Sequence, residues 1–266
     1  MALVLFDIDG TLIRKAGPHH RHALEAAVKQ VTGLESSTNG IPTQGMLDRD
    51  ILRIMLGNVG FSASRTNRLM PELVRVAQAI YVNGRGPKLH GKVCPGVRML
   101  LSRLKGRGVA TGLVTGNLTA IGWKKMERAG LDQYFRFGAF AEFAQDRAGL
   151  VRLAVREARK NGWIKRGSPV SLIGDHPNDI RAAQANGVRS IAVATGVVDA
   201  SELALHKPDL LIEDMRALTV DDLTTVFIRT RAALDRPEPL SEPRPKGAVS
   251  RGSSPLLSVA VRNARN

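Results

Sequence analysis

The stretch that decides the fold is MALVLFDIDGTL, Met1 to Leu12. Met1 to Phe6 is an almost wholly apolar run. Asp7 and Asp9 follow, two residues apart, and Gly10 and Thr11 come directly after them. A short apolar run closed by a turn signal predicts a buried strand, here residues 3–8. Carboxylates at the end of such a strand are costly unless something outside it engages them. Residues two apart in a regular strand share a face. Past the strand end, a turn that Gly10 permits can aim both at one point from different angles.

The pattern recurs. VATGLVTGN (109–117) and SPVSLIGDHPND (168–179) are each an apolar run ending in polar residues. RSIAVATG (189–196) and DLLIED (209–214) predict two further strands. Helical spacing predicts helices near 96–106, 118–129, 147–161, 177–186 and 221–234. Strands alternating with helices imply βαβ units, hence an α/β fold with a parallel sheet and helices on both faces. Residues 15–92 interrupt the alternation. They predict helices at 18–32, 47–56 (with Leu47, Ile51, Ile54 and Met55 at helical spacing) and 69–82, where Pro71 sits near the start.

Three polar turns on one edge of a parallel sheet converge where ligands bind, beyond the carboxyl ends of the strands. Asp7, Asp9, Thr115, Asn117, Asp175 and Asp179 are expected to meet there. Gathered carboxylates repel, and a hard dication removes that penalty. Mg²⁺ takes oxygen ligands, so Asp7, Asp175 and Asp179 read as a metal site. The competing reading makes these aspartates helix caps or turn formers.

Composition sets the bounds. The chain has 266 residues, 43% hydrophobic, enough for a substantial core. Its single cysteine, Cys94, excludes an intrachain disulfide and reads as a small buried residue. No apolar run is long enough to span a bilayer, and no basic region precedes the first apolar residues, so the expected location is cytoplasmic. The net charge of +15 suits acidic partners, but aromatic content is only 4% and the charge is scattered, which argues against nucleic-acid binding. Residues 236–266, rich in Pro, Ser, Gly and Arg, read as a disordered basic tail.

These motifs carry a resemblance to the haloacid dehalogenase-like hydrolases, in the branch that includes phosphoglycolate phosphatases. Asp7-Ile8-Asp9-Gly10-Thr11 is similar to the family's first motif. Thr115-Gly116-Asn117 resembles the second and Gly174 to Asp179 the fourth. CPGVRMLLSRLKGRGV and the stretch from Val188 to Leu211 resemble their surroundings. The family's third motif usually supplies a lysine; here Arg147 stands at the start of a helix, with Lys160 and Lys165 as the less suitable choices.

The resemblance implies a Rossmann-like core at 1–14 and 93–235 and an α-helical cap at 15–92. It implies Mg²⁺-dependent phosphatase chemistry on a small phosphorylated metabolite, phosphoglycolate-like or a sugar phosphate. Asp7 would be the nucleophile that forms an aspartyl-phosphate, and Asp9 the acid and base. Thr115 and Arg147 would stabilise the phosphoryl oxygens, with Gly10, Gly116 and Asn117 in the phosphate-binding turns. The metal would be held by Asp7, the Asp9 carbonyl and Asp175, with Asp179 in support. A proton donor at Asp9 argues for phosphoryl transfer over dehalogenation, since halide leaves without a proton. A phosphosugar mutase and a non-catalytic binding protein on the same fold remain alternatives, and the oligomeric state is not legible. Gly45-Met46-Leu47-Asp48 stands where the family has a loop facing the site, with Leu47 in place of a hydroxyl residue. His19, His20, Arg21 and His22 read as a solvated helix start rather than a second metal site, although Arg21 could reach an acidic group on a substrate. His176 reads as a turn residue.

Overall fold

In β1, Leu3–Phe6, every residue is buried. Leu3 and Leu5 belong to one apolar cluster and Val4 and Phe6 to another, so the strand is covered on both faces, as its unbroken apolar run requires. The computed structural model describes residues 1–225 together with Ala260 and Val261.

After β1 the chain leaves the sheet for α1 (His19–Thr32), α2 (Asp48–Asn58) and α3 (Ala63–Asn83). It returns through α4 (Val97–Gly106) to β2 (Ala110–Val114). Then come α5 (Thr119–Ala129), β3 (Phe137–Ala139), α6 (Arg147–Lys160), β4 (Val170–Gly174) and α7 (Pro177–Ala185). β5 (Arg189–Val193), α8 (Ala200–Leu205), β6 (Leu210–Ile212) and α9 (Val220–Thr224) complete the alternation. Six parallel strands lie in the order β6-β5-β4-β1-β2-β3, and β7 (Ala260–Val261) pairs antiparallel with β3.

The register brings the site together. Phe6 pairs with Leu113 of β2 on one side and Ile173 of β4 on the other. All three strands run parallel, so their polar turns emerge side by side at the same edge. The Asp7 N–H still donates to the Ile173 carbonyl at 3.0 Å, which ties the first turn to the third strand.

Helices α1 to α3 bury Leu24, Val28, Leu52, Met55, Leu73 and Val76 in the same apolar cluster as one face of the sheet. Three expectations need correction here. α3 begins at Ala63, not near 69, because the Ser62 side chain caps it by accepting from the Arg65 N–H at 3.3 Å. Pro71 therefore lies inside the helix, where it removes one backbone bond; the residue and its neighbourhood at Asn67 are exposed, so water can satisfy the freed carbonyl. Ile54 faces solvent, unlike Ile51 and Met55. β3 and α8 have no counterpart in the sequence reading: one is three residues long with a central glycine, the other a six-residue turn of helix capped by Asp199. The helix expected at 221–234 ends at Thr224, where Thr225 turns extended (φ −76°, ψ 141°); residues from 226 lie outside the described residues, as does the basic tail apart from Ala260 and Val261.

Candidate active site

A cavity of about 330 Å³ opens at the carboxyl edge of the sheet. Asp7, Asp9, Thr115, Gly116, Asn117, Arg147 and Asp175 line it from the sheet side. Asp179 lies just behind, on the first turn of α7, and Gly10 lies against Asp175. Gly10 has φ +86°, and a Cβ there would stand 2.0 Å from Asp175 Oδ2, so the turn admits only glycine. From the inserted helices and their loops come His20, Arg21, Gln44, Met46, Asp48 and Tyr81. Lys160 and Lys165 are exposed and do not line the cavity.

Asp7, Asp175 and Asp179 are all buried, and each offers a carboxylate oxygen within 4.8 Å of the others. Arg147, itself buried, enters from the start of α6, where Asp146 caps the helix by accepting from the Gly149 N–H. Its Nη1 donates to Asp179 Oδ1 at 2.5 Å and lies 3.1 Å from Asp7 Oδ1. Asp7 Oδ1 is buried without a well-aligned hydrogen bond among the described residues. Burial and the neighbouring Asp7 and Asp179 hold the Asp175 carboxyl well above its ordinary range, against the Thr11 hydroxyl and Arg147. Burial pushes Asp179 up to about 7, with Asp7 adding to it and Arg147 opposing.

Arg147 pairs with Asp7 and Asp179, while Asp175 accepts from Thr11; when all three carboxylates are ionised, one guanidinium offsets one of three charges, and the two that remain match one divalent cation. An unsatisfied buried oxygen and an all-oxygen donor set fit such an ion, and the triad could hold a metal. The capping alternative also holds in part. Asp179 Oδ2 accepts from the His176 N–H at 3.3 Å, and the His176 ring caps α7 by accepting from the Asn178 N–H at 3.2 Å. His176 also lines the cavity, and burial together with Arg147, Arg181 and His206 lowers its pKa to about 4.

Asp9 sits in the opposite setting. Its Oδ2 accepts from Asn117 Nδ2 at 2.8 Å and from Lys125 Nζ at 2.5 Å. Partial desolvation in the cavity works against ionisation, but Lys125 and His20 prevail and hold the Asp9 carboxyl below its ordinary value. Lys125 is absent from the sequence reading. It lies on the buried face of α5 with Ile121, Gly122, Met126 and Ala129, and a lysine at that register was the available signal. Thr11, the hydroxyl residue of the first motif, donates to Asp175 Oδ1 at 2.8 Å, a role its sequence position does not reveal.

The inserted helices reach the same place. Asp48 Oδ2 accepts from the Leu118 N–H at 2.8 Å and bonds His20 Nε2 at 2.8 Å. His20 is therefore half-buried and paired, which corrects the expectation of a solvated helix start; His19, Arg21 and His22 are exposed. α5 has no side-chain cap of its own. Its first free N–H groups are taken by Asp48 of α2, Glu142 and Gln78 of α3, at 2.8, 2.9 and 2.6 Å. The inserted helices thus cap the helix that starts directly after Thr115-Gly116-Asn117. The backbone between them is close: a Cβ on Gly116 would stand 2.1 Å from the Met46 carbonyl.

The family model of haloacid dehalogenase-like hydrolases matches residues 1–187. A phosphoglycolate phosphatase of Synechococcus elongatus is 31% identical over 120 residues, 45% of this chain and 54% of that protein. One from Pseudomonas savastanoi pv. phaseolicola is 27% identical over 232 residues, 81% of this chain and 78% of that protein. The chain spans about half the length of two relatives that it matches at 30% and 31% identity. Among solved structures, a β-phosphoglucomutase from Clostridium difficile shares the fold with a TM-score of 0.59 at 19% identity, covering 84% of this chain and 95% of that one.

Proposed function

The chain belongs to the haloacid dehalogenase-like hydrolases, and on that premise we infer that it hydrolyses a small phosphorylated metabolite through an aspartyl-phosphate on Asp7. The observation that carries this reading is the contrast between Asp7 and Asp9. Two carboxylates in one turn face one cavity, the first within the acidic triad and the second clamped by an ammonium and an amide. Pairs of like groups in opposed settings suit opposed roles in one reaction.

Asp7 attacks phosphorus, the bond to the substrate's alcohol oxygen breaks, and the Asp9 carboxylic acid gives that oxygen its proton. A phosphate dianion arriving beside Asp9 raises the carboxyl's proton affinity and so favours the acid form at that moment. Asp9, now a carboxylate, takes a proton from water as the water oxygen attacks the phosphoryl group. Inorganic phosphate leaves, Asp7 is restored, and Asp9 again carries its proton. Thr115 and Arg147 donate to the phosphoryl oxygens as charge shifts onto them, in the turns shaped by Gly10, Gly116 and Asn117.

Asp7, Asp175 and the Asp9 carbonyl, supported by Asp179, would hold Mg²⁺. Bound there, the ion neutralises the repulsion between phosphate and nucleophile. Residues 15–92 are read as a cap over a core formed by 1–14 and 93–235. A cavity near the low end of the usual range for small-molecule sites suits a metabolite rather than a phosphoprotein, and the phosphoglycolate phosphatases among the relatives support an alkyl phosphomonoester.

The test is phosphate release from a panel of phosphorylated metabolites, phosphoglycolate included, with Mg²⁺ and with EDTA. Release that requires metal supports the reading. No release from any substrate by folded protein overturns it in favour of a phosphosugar mutase or a binding protein.

A further inference from the structure

Lys125 clamps Asp9 but takes no part in the phosphoryl and proton transfers themselves. It is 2% exposed, on the face of α5 that packs into the core. Burying an ammonium is costly, and a methionine of similar length would fill the same space without that cost. Core stability therefore does not account for a lysine here.

We propose that Lys125 is a positioning residue that anchors Asp9 through Oδ2 and leaves Oδ1 to exchange the proton with the leaving group. This rests on the phosphatase reading and adds to it the residue that aims the acid.

An ammonium has three N–H donors and no acceptor. All three have a partner: Asp9 Oδ2 at 2.5 Å, Asn117 Oδ1 at 2.6 Å and His20 Nδ1 at 3.1 Å. None is left over for a phosphate oxygen, so Lys125 is not a substrate ligand in this arrangement. Because lysine can only donate, its partners' orientations follow. Asn117 must present its oxygen to Lys125, which turns its Nδ2 toward Asp9 Oδ2 at 2.8 Å and Thr115 Oγ1 at 2.7 Å. His20 must present Nδ1 as an acceptor, so its proton is on Nε2 and is donated to Asp48 Oδ2.

Both side-chain hydrogen bonds to Asp9 end on Oδ2. A carboxylate pinned at one oxygen by two donors from different directions cannot rotate freely, and the other oxygen has a defined direction. Asp9 lines the cavity, with its side chain 44% exposed, so Oδ1 is the oxygen available to a bound substrate. The third acceptor, His20, belongs to α1. The anchor is therefore complete only with the inserted helices seated.

A residue that aims a general acid is distinguished from a structural one by the leaving group. An alkoxide needs a proton as it departs; nitrophenolate does not. The experiment compares kcat/KM, which reports steps up to departure of the alcohol, for the best alkyl phosphomonoester and for p-nitrophenyl phosphate. It uses wild type, Lys125→Met and His20→Leu, each checked by thermal unfolding. Lys125→Met is expected to lower kcat/KM about 100-fold on the alkyl substrate, the scale of a misaimed catalytic group, and less than about 3-fold on the nitrophenyl one. His20→Leu keeps the Lys125–Asp9 contact and loses one acceptor; a fall of about 10-fold with the same selectivity is expected. It carries the test if Lys125→Met does not fold.

Equal falls on both substrates, or no fall, overturn the proposal while leaving the phosphatase reading intact. Wild type that releases phosphate from neither substrate overturns the phosphatase reading, and the role of Lys125 with it.

Discussion

Replacing Arg147 by methionine removes the one cation buried among three carboxylates. Its Nη1 is 2.5 Å from Asp179 Oδ1 and 3.1 Å from Asp7 Oδ1, and the side chain is 7% exposed. Breaking a buried ion pair by removing one partner costs about 3–5 kcal/mol, because the remaining charge stays desolvated. Carboxylates can escape part of that cost by binding protons. Asp175 and Asp179 already lie above their ordinary values, chiefly through burial, and Arg147 opposes that rise in both. Without Arg147 both move further up. An acid whose folded pKa is raised is stable when protonated and loses stability as pH rises from the unfolded value through the folded one.

The cost of Arg147→Met should therefore grow with pH. In metal-free protein it is expected at about 1 kcal/mol at pH 5.5 and about 3 kcal/mol or more at pH 8. Urea unfolding of both proteins at the two pH values, with EDTA, measures it. Activity should fall at least ~10-fold in kcat/KM, the scale of ~1.4 kcal/mol. A variant with wild-type stability at both pH values and full activity would refute the assignment of Arg147 to the phosphate site and the charge accounting behind it.

Two further outcomes follow from the same contacts. Mg²⁺ should raise the thermal midpoint more at pH 8 than at pH 5.5, because Asp175, held well above its ordinary range when metal-free, must lose its proton to act as a ligand, and Asp179, at about 7, must lose its own to support it; an equal rise at both pH values would count against the triad as the binding site. Asp48→Ala should destabilise the protein by about 1–3 kcal/mol in urea unfolding, since it orphans the Leu118 N–H, and Gln78→Leu by about 1 kcal/mol through Ala120; values near zero would mean that the inserted helices do not cap α5.

The sheet and its carboxyl edge were legible because they rest on local signals. An apolar run followed by carboxylates, glycine and a hydroxyl residue predicts both β1 and the turn beyond it, and an apolar run ending in polar residues recurs at β2 and β4. What escaped depends on long-range partners. Lys124 and Lys125 are adjacent and alike in sequence; only the register of α5, set by Ile121, Met126 and Ala129, sends the second inward. His20 looked solvated because nothing near it in sequence reports that Asp48 and Lys125 converge on it from α2 and α5. The start of α3 was missed because Pro71 suggested a first turn, while the actual cap, Ser62, lies nine positions earlier. Arg147 stands out in the sequence only by its charge and its place in the family's third motif; its position between Asp7 and Asp179 is a property of the folded chain.

The central claim is that Asp7 carries the phosphoryl group. It is tested most directly by acid-quenching the enzyme during turnover of its best phosphomonoester and mapping phosphate adducts by peptide mass spectrometry. The account predicts a phosphate on the peptide that contains Asp7, dependent on Mg²⁺ and absent from Asp7→Asn, which should also release no phosphate. Full turnover by Asp7→Asn, or an adduct mapped to another residue, would contradict it.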